Sequence, residues 1–234
     1  MSFQTIAAVK NITLTANEWP PYTSDNIEDG GLVIELVTAA FAMEGIKTSY
    51  QIMPWARAIA SVDAHEIDAV AAWDSAERRK KFRYSDRILI NKMVLVKRAK
   101  EHISWNIFDD LESYTFVLVR GAVSLPEIDD STKLNKTYVT TEESAMNLVA
   151  KGRADLTIRD QGIVEYLIKK KPELFFGKIN FVEKTLGQNS LYLITSRQHR
   201  HGAEIINAFN QGLKKIQQNG TYRKLLEKYG NTLY

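Results

Sequence analysis

The sequence predicts an α/β protein made of two similar lobes whose strand ends face a shared cleft. Strand patterns alternate along the chain with helix patterns of 3.6-residue period, as in β-α-β units. In addition, segments 65–74 and 152–160 repeat one organisation. In each, a helix end is followed by a tight turn, an aspartate, a short apolar strand, a charged residue and a new helix. This repeat indicates two variants of one design.

Composition limits the possible function classes. The chain has 234 residues, of which 44% are hydrophobic and 25% charged, enough for one large domain or two small ones. A net charge of +3 from scattered basic residues does not call for a nucleic-acid or membrane-surface role. The absence of cysteine excludes disulfides, thiolate metal sites and cysteine nucleophiles. No apolar run is long enough to span a membrane.

The first elements form a β-α-β pattern. A strand over 12–16 ends in the loop Asn17–Tyr22, which carries Trp19 and two prolines. A helix opened by Gly30-Gly31 and closed by Gly45 precedes a strand over 48–53 and a helix from Pro54. Trp19 and Trp55 both stand at strand-to-helix junctions, which favours a flat slot for an apolar ligand body. Packing of Trp19 into the core is the alternative.

The stretch 68–85 is the strongest candidate for a functional site. A strand over 69–72 runs through Trp73 and Asp74 into a helical turn that Ser75 caps. The first N–H groups of a helix lack intrahelical partners, and a guanidinium beside them can hold a carboxylate through two parallel hydrogen bonds. Arg78 is placed for this role. The alternative is a surface helix with a solvated basic face, which remains our interpretation of residues 79–81.

The remaining elements continue the alternation. We expect Thr140 to cap the helix that follows it and the four histidines (His65, His102, His199 and His201) to lie in solvent. The closing segment 202–229 has the helical spacing of plain core packing and breaks at Asn219-Gly220. The other predicted elements are strands over 88–96, 116–119, 138–140, 156–159, 181–184 and 191–194, a helical turn over 108–111, and helices over 141–149 and after Asp160.

With these residues in place, the chain resembles the family 3 solute-binding proteins, the amino-acid-type binding components of ABC importers, along nearly its whole length. The features that carry the resemblance are Trp19–Tyr22, Ser75–Arg78 followed by Tyr84-Ser85, Gly152–Asp155 leading to Asp160, and Asn219–Thr221 with Lys228–Gly230. The family implies the type II periplasmic binding protein fold, with two α/β lobes, a central ligand cleft and two hinge crossings. Lobe 1 would comprise 1–95 and 192–234, and lobe 2 would comprise 96–191.

The resemblance also implies site residues. Arg78 falls on the arginine that clamps an amino acid's α-carboxylate, and Asp160 on the acid that holds its α-ammonium. Trp19 and Trp55 would stack against the ligand body, and Arg57 would reach a polar or acidic ligand group. The backbone groups of Ala71 and Trp73 would lie beside Arg78.

Two departures from the family pattern concern the same site. The turn Gly121-Ala122-Val123 replaces the usual Gly-Thr-Thr and removes hydroxyl donors for the carboxylate. Trp73-Asp74 replaces small polar residues ahead of the arginine, so Asp74 would neutralise Arg78 or bind a second cation on the ligand. We expect the specificity of this chain to lie at Trp73-Asp74.

The resulting prediction is a periplasmic, monomeric binding protein. It would capture an amino acid or similar zwitterion by lobe closure and deliver it to an ABC importer permease. We expect no catalytic residues, cofactor, metal or nucleic-acid partner. Segment 1–10 lacks the features of a secretory signal, so the signal peptide would already be removed.

Two alternatives use the same fold. A cyclohexadienyl dehydratase-like enzyme would use Glu18, Asp74 and Asp160 as general acids in the same cleft. A ligand-sensing domain of a receptor would bind the same ligands with a different output. Because no linker or membrane segment is found near Tyr234, a separate binding protein is favoured over the sensor.

Overall fold

The computed structural model describes residues 9–120 and 125–230. The chain divides into two units by its internal contacts. Among the described residues, unit 1 comprises 9–90 with 190–230, and unit 2 comprises 91–120 with 125–189. The chain passes from one unit to the other within two long strands, β4 (Phe82–Arg98) and β9 (Gly187–Ser196). The lobe boundaries predicted from the sequence, after residues 95 and 191, stay predictions.

Unit 1 contains a parallel group of three strands joined to an antiparallel neighbour. β1 (Asn11–Ala16) lies between β2 (Lys47–Ile52) and β3 (Ala69–Trp73) and pairs parallel with both, and β3 pairs antiparallel with β9. The alternating burial of β1, which places Ile12 and Leu14 in the core, fits its sequence pattern. The helices of this unit are α1 (Leu32–Ala42), α2 (Trp55–Asp63), α3 (Ala76–Lys81), α8 (Gly202–Gln218) and α9 (Thr221–Lys228).

The contact between α1 and α8 forms a large part of the core of unit 1. The rings of Phe41 and Phe209 lie 5.5 Å apart and both side chains are fully buried. The helices approach closely at Gly212, where a Cβ atom would lie 1.9 Å from the carbonyl oxygen of Ala40. A larger residue at position 212 would therefore force the two helices apart.

Unit 2 repeats the same strand arrangement. β5 (Thr115–Val119) lies between β6 (Asn135–Val139) and β7 (Leu156–Asp160) and pairs parallel with both. β7 then pairs antiparallel with β4, as β3 does with β9 in unit 1. The other elements of this unit are β8 (Ile179–Phe181), which pairs with β4, and α4 (Pro126–Asp129), α5 (Glu142–Ala150), α6 (Gln161–Lys170) and α7 (Pro172–Phe175).

Several predictions about local structure need correction. The cap of α5 is Thr141, whose hydroxyl accepts a hydrogen bond from the backbone N–H of Ser144; the prediction of Thr140 was wrong by one residue. β4 begins at Phe82, six residues before the predicted strand, because it lies next to β9 in the sheet although the apolar signal of its first residues is weak. The strand predicted over 181–184 lies instead at Ile179–Phe181.

The prediction of solvent-exposed histidines was wrong for His199. Its side chain is only 10% exposed and its Nε2 lies 3.1 Å from a carboxylate oxygen of Asp68. His65 lies nearby with its ring 6.0 Å from that of His199, and its Nε2 is 2.9 Å from the hydroxyl of Ser196. The polar sequence around His199 hides this burial because the contact partners are more than 100 residues away in the chain.

Candidate functional site

At the junction between β3 and α3, one edge of β3 extends past its parallel neighbour. β1 pairs with β3 only as far as Val70, whereas β9 pairs with β3 as far as Trp73. From Ala71 to Trp73, this edge of β3 therefore lies beyond the pairing with β1. Backbone groups past the end of a strand ladder can bond to side chains or ligands. One of them, the carbonyl of Trp73, accepts a hydrogen bond of 2.9 Å from Nη1 of Arg78.

Ser75 caps α3, as predicted. Its hydroxyl accepts a hydrogen bond of 3.1 Å from the backbone N–H of Arg78. The helix is only six residues long, so its dipole contributes little, and the cap already satisfies one of its first N–H groups. The expected anion site at this helix start thus depends on the Arg78 side chain.

Arg78 and Arg79 are neighbours in sequence but differ in their partners. Arg79 forms two hydrogen bonds of 2.7 Å, from Nε and Nη2, to the two carboxylate oxygens of Asp74. Arg78 is half-buried and lies over the ring of Trp55, with its guanidinium carbon 5.3 Å from the ring centre. No acidic side chain among the described residues forms an ion pair with Arg78.

The partner of Asp74 differs from our expectation. The sequence predicted that Asp74 would act on Arg78, but in the structure its carboxylate is bound by Arg79. Arg79 itself was interpreted as part of a solvated basic face. It is 51% exposed, yet it is held by Asp74 and by the rings of Tyr84 and Tyr192, 4.6 and 5.9 Å from its guanidinium carbon.

Three tryptophans contribute aromatic surface near this junction. Trp19 packs edge-on against Trp73 with ring centres 5.6 Å apart, and against Tyr22 at 4.3 Å. Paired backbone hydrogen bonds between Trp19 and Thr23 fix the loop that carries them. Tyr22 is fully buried, whereas Trp19, Trp55 and Trp73 are each half-buried. Tyr22 thus anchors the loop in the core, and the tryptophans keep exposed faces.

Three further residues of unit 1 complete the predicted set. Ala71 is half-buried on β3, and Arg57 is exposed on α2, two residues after Trp55. Arg57 forms no side-chain hydrogen bond or ion pair with any residue that the structure describes. Glu18, a candidate general acid, is engaged by the hydroxyl of Ser24 and by the backbone N–H of Asp25.

In unit 2, the end of β7 places two charged residues in the interior. Arg159 and Asp160 are each 3% exposed. Oδ1 of Asp160 accepts a hydrogen bond of 3.2 Å from the backbone N–H of Ile163 and caps α6. Arg159 forms an ion pair with Glu142, at the start of α5. Burial raises the pKa of the Glu142 carboxyl, although Arg159 acts in the opposite direction.

Two predicted residues, Gly121 and Ala122, lie outside the described residues. A cavity of about 320 Å³ occurs elsewhere in unit 2, and none of the predicted site residues that the structure describes lines it. Its lining consists of Phe108, Asp109, Glu112, Glu127 and residues 130–134. Within residues 9–120 and 125–230, no cluster of three or more histidine, aspartate or glutamate side chains has metal-binding geometry. The helices of the same ranges are too short or too polar to cross a bilayer.

Sequence reasoning missed three ion pairs. These are the Asp74–Arg79 pair, the Asp68–His199 pair and the Arg159–Glu142 pair. For the first, the spacing was a visible but ambiguous signal, since Arg79 is five residues from Asp74 and Arg78 is four. For the other two, the sequence carries no local signal, because strand order decides which residues meet.

Fold and site together define a two-unit α/β protein of the solute-binding class. The sequence profile of the bacterial extracellular solute-binding proteins, family 3, matches residues 12–232. The chain belongs to this family. It has the type II periplasmic binding protein fold, as predicted. No curated protein matches the sequence.

Solved structures with the same fold are distant in sequence. The ligand-binding core of GluR0 from Nostoc punctiforme, in complex with L-glutamate, is 19% identical with a TM-score of 0.74, covering 94% of this chain and 99% of that one. A probable amino-acid ABC transporter extracellular-binding protein from Bacillus subtilis is 18% identical with a TM-score of 0.76, covering 96% and 99%. The L-cystine solute receptor of Neisseria gonorrhoeae, unliganded and open, is 21% identical with a TM-score of 0.72, covering 95% and 93%.

Proposed function

We propose that this chain is a periplasmic binding protein that captures an amino acid or a similar zwitterion and delivers it to an ABC importer. The family supports solute binding, and the named structural relatives include amino-acid transport components. The ligand class, the delivery to an importer, capture by lobe closure and the monomeric state are our proposals. The non-enzymatic reading is consistent with these relatives, most of which are binding proteins.

The observation that carries the proposal is the difference between the two arginines of α3. Arg79 is neutralised by Asp74, whereas Arg78 has no acid partner among the described residues. Its Nη1 is bonded to the Trp73 carbonyl, and its guanidinium lies over Trp55. An arginine held in this way presents its remaining N–H donors in a fixed plane that matches a carboxylate. The exposed faces of Trp19, Trp55 and Trp73 provide apolar surface for the rest of the ligand.

Asp160 is proposed to hold the ligand's ammonium group. It lies at the end of β7 in unit 2, and it is a buried carboxylate, which favours a cationic partner. In unit 1, Ala71 is proposed to contribute backbone groups and Arg57 to reach a polar ligand group. Gly121 and Ala122 remain candidates by resemblance.

Binding is tested by a thermal-shift screen of the twenty amino acids, small dicarboxylates and polyamines, followed by calorimetry. A ligand that binds the folded state raises the melting temperature with its concentration. Arg78→Ala is expected to weaken carboxylate binding by roughly 10- to 100-fold, since two charged hydrogen bonds are lost. Lys80→Ala, an exposed cation on the same helix, is the matched control and is expected to bind as wild type.

Asp160→Asn tests the ammonium contact separately. Asparagine caps a helix about as well as aspartate, so α6 should remain formed while the negative charge is removed. We expect a normal circular dichroism spectrum and affinity for a zwitterion at least about tenfold lower. Unchanged affinity in both Arg78→Ala and Asp160→Asn would remove this site.

A further inference from the structure

The ion pair between Asp74 and Arg79 is held in place from several sides. The two side chains meet through two hydrogen bonds of 2.7 Å. The guanidinium of Arg79 also lies over the ring of Tyr84. The backbone carbonyl of Arg79 accepts a hydrogen bond of 3.1 Å from Nε of Arg197. The backbone N–H of Asp74 donates to the carbonyl of Ser190 at 3.3 Å. The direction of the Asp74 carboxylate is therefore determined by its surroundings.

Arg78 lies next to the same aspartate. Its Nη1 donates to the carbonyl of Trp73, so the guanidinium sits at the peptide bond that joins Trp73 to Asp74. Asp74, Arg78 and Arg79 all act electrostatically on the hydroxyl of Tyr84. If Asp74 lost Arg79, the guanidinium of Arg78 would be the neighbouring partner.

We propose that Arg79 is a positioning residue: it holds Asp74 away from Arg78 and so keeps the Arg78 guanidinium available for an anionic ligand group. This inference deepens the proposed function and rests on it. It assigns a role to Asp74, which would otherwise place a negative charge beside the carboxylate-binding arginine. In this arrangement Arg79 holds the Asp74 carboxylate, and Asp74 does not contact the ligand.

A purely structural role for the pair does not account for this arrangement. Both side chains are well exposed, at 51% for Arg79 and 40% for Asp74, and exposed ion pairs contribute little to stability. Their local electrostatic effect is larger, because a carboxylate freed beside Arg78 would both compete with and repel an incoming anion. We expect that effect to weaken carboxylate binding by about tenfold.

The first test compares a single variant with a double variant. The probe is the tightest-binding member of a panel of the twenty proteinogenic L-amino acids, identified by thermal shift on the wild-type protein and measured by calorimetry. Arg79→Gln is expected to bind it about tenfold more weakly. The double variant Asp74→Asn with Arg79→Gln is expected to recover most of that loss, since no carboxylate is left to move to Arg78.

A matched control removes a charge from the same helix. Lys81 pairs with Asp63 at 3.2 Å, both exposed, so Lys81→Gln breaks an ion pair of similar exposure and makes the same change in net charge. We expect Lys81→Gln to bind as wild type. Equal weakening in Lys81→Gln and Arg79→Gln, or no recovery in the double variant, would overturn the proposed role of Arg79.

The second test needs no ligand. The Nε–Hε signal of Arg78 in a ¹⁵N correlation spectrum, assigned by its loss in Arg78→Lys, reports on the partner of this side chain. We expect it to shift and to exchange more slowly with water in Arg79→Gln, and to return towards its wild-type position in the double variant. An unmoved signal in Arg79→Gln would show that Asp74 does not turn to Arg78.

The two tests separate the two proposals. Full affinity in Arg78→Ala, or no binding by any amino acid, contradicts the proposed function. In that case the Nε–Hε signal of Arg78 in Arg79→Gln still tests whether Arg79 holds Asp74 away from Arg78. Lost affinity in Arg78→Ala together with an unmoved signal and no recovery contradicts only the role of Arg79.

Discussion

The two strand-to-helix junctions, β3–α3 in unit 1 and β7–α6 in unit 2, share one set of aspartate–threonine hydrogen bonds, which we call the frame. Asp68 precedes β3 and accepts hydrogen bonds from both the N–H and the hydroxyl of Thr13, at 2.7 and 2.8 Å. Asp155 precedes β7 and accepts the same two bonds from Thr115, at 2.8 and 2.7 Å. The backbone N–H of each aspartate donates back to the same threonine. The repeat seen in the sequence thus corresponds to a repeated set of contacts.

The turns before the two aspartates also correspond. His65 and Gly152 both have positive φ angles, of 64° and 69°, and both follow a helix that ends with the same backbone hydrogen bonds. At each strand end a short polar side chain caps the next helix: Ser75, two residues after β3, caps α3, and Asp160, the last residue of β7, caps α6. One frame therefore supports two different sets of functional side chains.

The junctions differ in where they place their charges. At the first, the Asp74–Arg79 pair is exposed and Arg78 is half-buried. At the second, β7 is buried along its whole length, and the buried Arg159 pairs with Glu142, whose side chain is 33% exposed. The difference indicates that the β3–α3 charges can be changed at little cost in stability, whereas the β7–α6 charges are part of the core.

The largest expected effect comes from breaking the buried pair. Arg159→Met leaves the largely buried carboxylate of Glu142 without its partner and should lower the free energy of unfolding by about 3 kcal/mol. Arg79→Met breaks the exposed pair and should leave the midpoint of urea unfolding unchanged. Urea titrations followed by circular dichroism measure both. Similar losses in the two variants would contradict the contrast between the junctions.

A smaller effect is expected at the matched turns. Gly152→Ala forces a side chain into a left-handed conformation, and its Cβ would lie 1.9 Å from Nη1 of Arg98. We expect a loss of about 1 to 3 kcal/mol in urea unfolding, part of it from backbone strain and part from moving Arg98.

His65→Gly is the matched change at the other turn. Glycine relieves the positive φ angle but loses the contact with Ser196, so we expect a change much smaller than that of Gly152→Ala. A loss as large as that of Gly152→Ala would mean that the Ser196 contact outweighs the strain at this turn.

The sequence predicted the class of fold, most element positions and the repeated junctions, because these follow from local periodicity, capping and turn residues. It placed Ser75 and Asp160 at helix starts correctly, since both are short acceptors followed by helical patterns. It could not predict that Asp74 pairs with Arg79, because neighbouring arginines on one short helix compete for the same carboxylate. The burial of Arg159 and His199 depends on partners brought close by strand order alone.

The smallest expected effect is on the pH dependence of stability, and it follows from a difference between Asp68 and Asp155. Asp68 has a second partner, His199, and burial lowers the pKa of that imidazole although Asp68 acts in the opposite direction. Two neighbouring histidines, His65 and His201, lower it further, and Glu204 lies 3.2 Å from His201. The folded state therefore binds a proton at His199 less readily than the unfolded state does. The neutral imidazole of His199 contributes to stability above about pH 6.5, and this contribution is lost as the pH falls below that value.

His199→Gln should therefore reduce the loss of thermal stability between pH 7.5 and pH 5.5 relative to wild type. His102→Gln, at an exposed position in unit 2, is the control and should keep the wild-type dependence. The measurement is the melting temperature of each protein at the two pH values. Among the described residues, Asp155 at the second junction contacts no histidine. If His199→Gln kept the full pH dependence, the burial of His199 beside Asp68 would not be the source of a pH-dependent difference between the two junctions.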